Sequence, residues 1–148
     1  MRIIALLAVA AIASPALAQP LPELPKTREG YYALGQRFAN CSATFQMFAF
    51  VARRTDHPDT VTLAEGRARG WKVAGMLFLA EGMDPSRATD TEQTFDTLVE
   101  VKLMELKARY ELNADALTKA VPVEFAKDCE PLVPMQEKLI ELMRRGPQ

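Results

Sequence analysis

The fold is decided by residues 28–54, REGYYALGQRFANCSATFQMFAFVARR. Apolar residues recur there at alternating steps of three and four, at Tyr31, Leu34, Phe38, Cys41, Phe45, Phe48 and Ala52. This spacing places all of these side chains on one face of an α-helix over three heptads. We therefore predict a first helix from about Arg28 to Arg54, with Thr27 as its N-cap, that buries this stripe against other helices.

The rest of the chain also has helical periodicity. We predict a second helix over residues 60–81, a third that ends near Leu112, and a short one at 114–121 that begins after Asn113 or continues the third. Pro122 is expected to end that segment, because proline lacks an N–H and disrupts a helix interior. A short helix with Phe125 and Cys129, a kink and a final helix at 135–145 complete the prediction. No sustained alternation predicts a strand, so the fold class is all-α, a four-helix bundle-like domain.

Two residue types in the second helix indicate tight packing. Gly66 and Gly70 each weaken a helix by about 1 kcal/mol relative to Ala, so we expect a neighbouring helix, or alternatively a ligand, to approach them closely. Trp71 lies on the same face as Phe78, and we expect its large indole to be buried.

The chain contains two cysteines, Cys41 and Cys129. Cys41 falls on the buried stripe of the first helix, and an even cysteine count in an exported protein favours a disulfide. We therefore predict a structural bridge from helix 1 to the last helical segment. Free thiols or a redox pair are the alternatives, and the second is weakened by the lack of a C-x-x-C motif.

The N-terminus predicts export. Residues 1–18, MRIIALLAVAAIASPALA, combine one positive charge, a short apolar run and small residues at Ala16 and Ala18, which is typical of a secretory signal peptide. We expect cleavage after Ala18 and a periplasmic protein, or a secreted one outside Gram-negative bacteria. Residues 19–148 then form one helical domain with a proline-rich extended lead-in at 19–26.

Charge and hydropathy limit the partners. The formal net charge is −1, which does not provide the basic surface that nucleic-acid binding needs. Charges interrupt every apolar run after the signal peptide, so no membrane span is expected. The sequence does not predict an oligomeric state.

Catalytic and metal-binding patterns are weak. His57, between Asp56 and Asp59, is interpreted as a solvated loop residue rather than a metal ligand. Glu92, Asp96 and Glu100 share one helix face and are interpreted as solvated, with a basic partner or acid–base chemistry as alternatives. No nucleophile, phosphate-loop or dinucleotide motif occurs. We therefore predict no catalytic residue, no metal site and no cofactor.

The aromatic residues suggest either a core or a ligand pocket. The residues that we assign to a possible apolar pocket are Tyr31, Phe38, Phe45, Phe48, Trp71 and Phe78. A core is the default interpretation of such a set. The sequence therefore favours a non-catalytic binding protein with an unidentified protein partner, of the class that includes stress chaperones and toxin-immunity proteins. A carrier of an apolar small ligand and a small carboxylate-based hydrolase are the alternatives.

Overall fold

The computed structural model describes residues 23–145, so the predicted signal peptide at 1–18 lies outside the described residues. Within that range there are five α-helices, two 3-10 segments and no strand, which confirms the all-α prediction. The α-helices are α1 (Arg28–Arg54), α2 (Pro58–Gly82), α3 (Thr91–Leu112), α4 (Ala114–Asp128) and α5 (Val133–Arg145), and the 3-10 segments are Pro85–Asp90 and Glu130–Leu132.

The first four helices form an up-down-up-down bundle. α1 and α2 are antiparallel, since Phe38 packs on Trp71 and Arg53 pairs with Glu65. α3 runs beside both, and its Asp96 lies against Lys72 of α2. α4 returns antiparallel to α1 and also packs on α3, whereas α5 packs on α2.

Local signals set the helix starts. The side chain of Thr27 accepts a hydrogen bond from the Gly30 N–H, as predicted for the N-cap of α1. Asn113 caps α4 in the same way through the Ala116 N–H, so α3 and α4 are separate helices. At the α1–α2 connection Asp56 adopts a φ of 57°, a left-handed conformation that Asp tolerates better than most residues.

The prediction that Pro122 ends its helix is wrong. α4 continues through Pro122 to Asp128, and the chain turns into α5 through the 3-10 segment that follows Cys129. Pro122 is exposed and so is Thr118, whose carbonyl lacks the usual i+4 partner. Water can therefore bond that carbonyl, which offsets the hydrogen bond that the proline cannot make.

The buried residues divide into two groups. The larger, which we call the main core, lies between α1, α2, α3 and the start of α5. Its largest fully buried side chains are Phe38, Trp71, Leu79, Phe95 and Leu132. The smaller, which we call the distal cluster, contains Met47, Leu106, Leu117 and Val121. Trp71 is 1% exposed, which confirms its predicted burial.

The disulfide is present as predicted. Cys41 and Cys129 are bonded, with their Cα atoms 5.8 Å apart, and both side chains are buried in the main core. The bridge joins the middle of α1 to the point where α4 ends and the chain turns into the last helix. It therefore encloses α2, α3 and α4 within one covalent loop.

The two glycine predictions have different outcomes. A Cβ on Gly70 would lie 2.8 Å from the side-chain nitrogen of Gln136 on α5, so close approach is confirmed there. A Cβ on Gly66 would meet only an Arg69 nitrogen at 3.9 Å, so no element of residues 23–145 packs closely on Gly66 and that prediction is wrong.

Candidate functional site

An apolar cleft of about 380 Å³ lies beside the distal cluster, at the end of the bundle where α1 connects to α2. Its walls come from the C-terminal half of α1, the N-terminal half of α2, and α4, with one aromatic residue from α3. The lining residues are Phe45, Met47, Phe48, Val51, Ala52, Thr55, His57, Thr60, Leu63, Ala64, Arg67, Tyr110, Leu117, Thr118 and Val121. This volume falls in the range of small-molecule sites in proteins, which are mostly apolar with few polar groups.

Helix packing explains why the cleft is open. α4 packs against α3 and α1, whereas α5 packs against α2 at Gly70, on a different side of that helix from the cleft. Among residues 23–145, α2 and α4 do not pack closely on each other, and Leu63 near the start of α2 is 64% exposed. Leu117 and Val121, one turn apart on α4, are buried against the floor of the gap. The result is an apolar recess with one side facing solvent.

The basic residues of this lining are Arg67 and His57, and no Asp or Glu of residues 23–145 contributes to it. Both residues are exposed and lie at the rim of the cleft. Phe45, Phe48 and Tyr110 form its aromatic part. The cleft therefore has an apolar interior and a rim without negative charge.

A second, more polar cleft of about 590 Å³ adjoins the first, since Phe45 and Arg67 line both. Phe125, Trp71 and Gln136 also contribute to its walls, and Glu130 is its carboxylate. The two clefts follow the same side of α2, and Arg67 lies at their junction.

The structure separates the six aromatic residues that we predicted for a pocket. Phe45 and Phe48 line the apolar cleft, and Phe45 also packs on Phe125 with ring centroids 5.2 Å apart. Phe38, Trp71 and Phe78 fill the main core, where Phe38 contacts both of the others with centroids 5.1 Å apart.

Tyr31, the remaining member of that set, is partly buried. It stacks on Phe78, with the ring centroids 6.4 Å apart, at the edge of the main core. It lies towards the N-terminal end of α1, whereas the cleft is built from the C-terminal half of that helix. The structure therefore brings two of the six predicted residues to the apolar cleft.

His57 is exposed at the N-terminus of α2, where its side chain forms no capping hydrogen bond. Its backbone carbonyl accepts the Val61 N–H as the first turn of α2 forms. Within residues 23–145 no group of three or more His, Cys, Asp or Glu side chains is arranged to hold a metal ion.

Two of the three carboxylates that we grouped on α3 contact a lysine. Lys72 of α2 lies 2.8 Å from both a Glu92 oxygen and an Asp96 oxygen. Partial burial disfavours the charged ammonium, but the hydrogen bonds with Asp96 and Glu92 outweigh it and raise the pKa of Lys72. The two ion pairs of Lys72 therefore join α2 to α3. Glu100, the third carboxylate, is exposed.

Glu124 of α4 forms a two-point ion pair with Arg109 of α3, with oxygen–nitrogen distances of 2.6 and 3.1 Å. The hydrogen bonds from Arg109 lower the pKa of Glu124. A general acid needs the opposite shift, towards a higher pKa. The arrangement therefore favours a role in joining α3 to α4.

Sequence reasoning missed most of the cleft. Leu63 lies off the apolar stripe of α2, and Thr118 is polar, so neither carried a signal. Leu117 and Val121 are spaced i and i+4, which marks a buried face, but their partner helix could not be identified from that spacing.

Comparison with models of known families, with curated proteins and with solved structures finds no match to this chain. Among residues 23–145, no helix has both the length and the apolar character that crossing a membrane requires.

Proposed function

We propose that this is an exported binding protein whose distal cleft holds a small apolar molecule. The observation that supports the proposal is the cleft itself: about 380 Å³, lined mainly by apolar side chains including Phe45, Phe48 and Tyr110. The sequence favoured a protein partner, with an apolar ligand as the alternative. Because a cleft of this size and lining suits a small ligand, we now prefer the carrier among these binding functions.

Burial of apolar surface is the expected source of affinity. Each methylene that leaves water contributes about 0.8 kcal/mol, or roughly a fourfold gain in affinity. The cleft is open on one side, so part of a bound molecule stays hydrated. Methylene groups in that part contribute less to the affinity. Affinity should rise with chain length until the cleft is filled and then level off.

The experiment uses a neutral apolar dye, N-phenyl-1-naphthylamine, whose fluorescence rises in an apolar site. Its naphthyl group is small enough for the cleft, and its phenyl group can extend through the open side. Thr118 is exposed and lines the cleft, so Thr118→Phe fills the cleft without disturbing the buried residues. Thr97 is the matched control: it is also exposed on a helix, and its hydroxyl donates to the carbonyl four residues back, as that of Thr118 does.

We expect saturable dye binding by the unmodified protein and by Thr97→Phe, and at least a tenfold loss of affinity in Thr118→Phe. Equal binding by all three proteins would place the dye elsewhere on the surface and would contradict the proposal. Absence of dye binding in the unmodified protein would also contradict it and would return attention to a protein partner.

Export is part of the proposal and is supported by the sequence of residues 1–18. The Cys41–Cys129 disulfide is compatible with an oxidising compartment. Intact-mass analysis of protein recovered from the periplasm should give a chain that begins at Gln19. Recovery of the full-length chain from the cytoplasm would contradict this part.

A further inference from the structure

We propose that the ligand of the distal cleft is an amphiphile with one anionic head group, a carboxylate, whose head is bound by Arg67 and whose tail fills the apolar interior. This inference rests on the proposed function. It adds the charge of the ligand and its orientation in the cleft. Three observations support it: the position of Arg67, the amide of Gln136, and the distribution of carboxylates around the two clefts.

Arg67 has no ion-pair partner among residues 23–145, whereas Arg53, Arg54 and Arg109 each contact a glutamate. It lies at the junction of the apolar cleft with the polar one, and its guanidinium is therefore available to a ligand in either. Arginine binds a carboxylate through two parallel N–H donors, which makes it the best protein partner for that group.

Gln136 of α5 provides a second polar group nearby. Gln136 as a whole is 5% exposed, and no hydrogen bond within residues 23–145 involves its side-chain amide. Its amide nitrogen lies close to Gly70, one helical turn from Arg67, and Gln136 and Arg67 line the same polar cleft. No buried side-chain nitrogen or oxygen of the described residues lacks a hydrogen-bond partner, so the Gln136 amide is open to the solvent of the polar cleft and is available to a ligand there. A head group bound to Arg67 can accept a hydrogen bond from it.

The carboxylates around the clefts limit the ligand to one negative charge. No Asp or Glu of the described residues lines the apolar cleft, so the tail side of Arg67 is free of negative charge, whereas Glu137 and Glu141 share a separate groove with Arg67 on its α5 side. Glu130 lines the polar cleft beyond Arg67 and would repel a second negative group on the ligand. A monocarboxylate with an apolar tail therefore fits better than a dicarboxylate or a neutral lipid.

The cleft volume limits the tail. At about 30 Å³ for each water-sized heavy atom, 380 Å³ accommodates about a dozen heavy atoms. Decanoate, with a ten-carbon chain, is therefore a suitable probe.

The experiment measures displacement of the neutral dye by decanoate, decanol and decylamine at pH 7, where decanoate is anionic and decylamine cationic. The variant is Arg67→Gln. The matched control is Arg69→Gln, because Arg69 is exposed on the same helix but lines a different cleft, between α1, α2 and α3. We expect decanoate to bind about tenfold more tightly than decanol, and decylamine to bind most weakly.

Arg67→Gln should weaken decanoate binding about tenfold and leave decanol binding unchanged, whereas Arg69→Gln should change neither. Gln136→Leu should weaken decanoate binding severalfold without affecting the dye. If the dye binds but decanoate, decanol and decylamine compete equally, or if Arg67→Gln and Arg69→Gln behave alike, the anionic ligand is disproved while the apolar cleft stands. If the dye does not bind, the proposed function itself fails.

Discussion

The two ends of the bundle bury their aromatic residues to different degrees. In the main core Phe38 and Phe95 are fully buried and Trp71 is 1% exposed, and the disulfide lies among them. In the distal cluster the four buried residues are Met47, Leu106, Leu117 and Val121, and the aromatic residues beside them are only partly buried. The protein therefore has one closed end and one end with an apolar cleft.

The same helix supplies both ends, which is why the difference is informative. Phe38, Phe45 and Phe48 all lie on the regular apolar stripe of α1. Phe38 is covered by α2, whereas Phe45 and Phe48 reach the gap between α2 and α4. Periodicity shows that a side chain points inward, and the placement of the other helices determines whether it meets a core or a cleft. We infer that stability depends mainly on the closed end and binding on the open one.

The largest expected effect is loss of the disulfide at the closed end. Its two cysteines are 88 residues apart. By the chain-entropy model, a loop of this length stabilises the fold by about 4–5 kcal/mol, and measured values tend to be lower. The double variant Cys41→Ala/Cys129→Ala should therefore lower the free energy of unfolding in urea by up to that amount. A loss below about 1 kcal/mol would contradict a main stabilising role for the bridge.

Truncation of Trp71 should be nearly as costly. Its indole is buried against Phe38, with ring centroids 5.1 Å apart, so Trp71→Ala should lower the free energy of unfolding by about 3–5 kcal/mol. Phe48→Ala at the open end should cost roughly half of that or less, because the ring is only partly buried. Urea unfolding of both variants measures the contrast. Equal losses would show that the distal cluster is packed as tightly as the main core.

Two glycines of α2 extend the comparison along that helix. A Cβ on Gly82 would overlap the backbone of Tyr32, so Gly82→Ala should force the helices apart and cost about 1–3 kcal/mol. Gly66 near the open end has free space, so Gly66→Ala should stabilise the protein by up to about 1 kcal/mol. Thermal melts of the two variants should therefore shift in opposite directions. A destabilised Gly66→Ala would show that an element covers this part of α2.

The smallest effect comes from the pair of Glu124 and Arg109, which joins α4 to α3 beside the distal cluster. The pKa of Glu124 is lowered in the folded state, so its contribution is present above its ordinary pKa of 4.5 and is lost as the pH falls through the lower folded value. The side chain is 41% exposed, so solvent screening limits the contribution to about 0.2–1 kcal/mol.

Glu124→Gln is the variant that tests this. This substitution should lower the free energy of unfolding by about 0.2–1 kcal/mol at pH 7, and by less as the pH is lowered below 4.5. Urea unfolding at several pH values measures the difference from the unmodified protein. A difference that grows on acidification would contradict the assigned pKa direction.

The sequence predicted the parts of the fold that depend on local periodicity. The bounds of α1, the Thr27 cap, the end of α3 and the burial of Trp71 follow from spacing and residue type. The disulfide follows from an even cysteine count, the position of Cys41 on the apolar stripe and the proposed export. The continuation of α4 through Pro122 was missed because it depends on solvent exposure of the Thr118 carbonyl. The apolar cleft was only partly predicted, since Leu63, Arg67 and Thr118 reach it through the relative placement of α2 and α4.

Methyl NMR with and without decanoate tests the central claim, that the closed end stabilises the protein and the open end binds. The methyl groups of Val51, Leu63, Leu117 and Val121 line the cleft, whereas those of Leu79, Val99 and Leu132 lie in the main core. We predict saturable shifts in the first group and negligible shifts in the second. Larger shifts in the main core, or none in the cleft at saturating decanoate, would contradict the account.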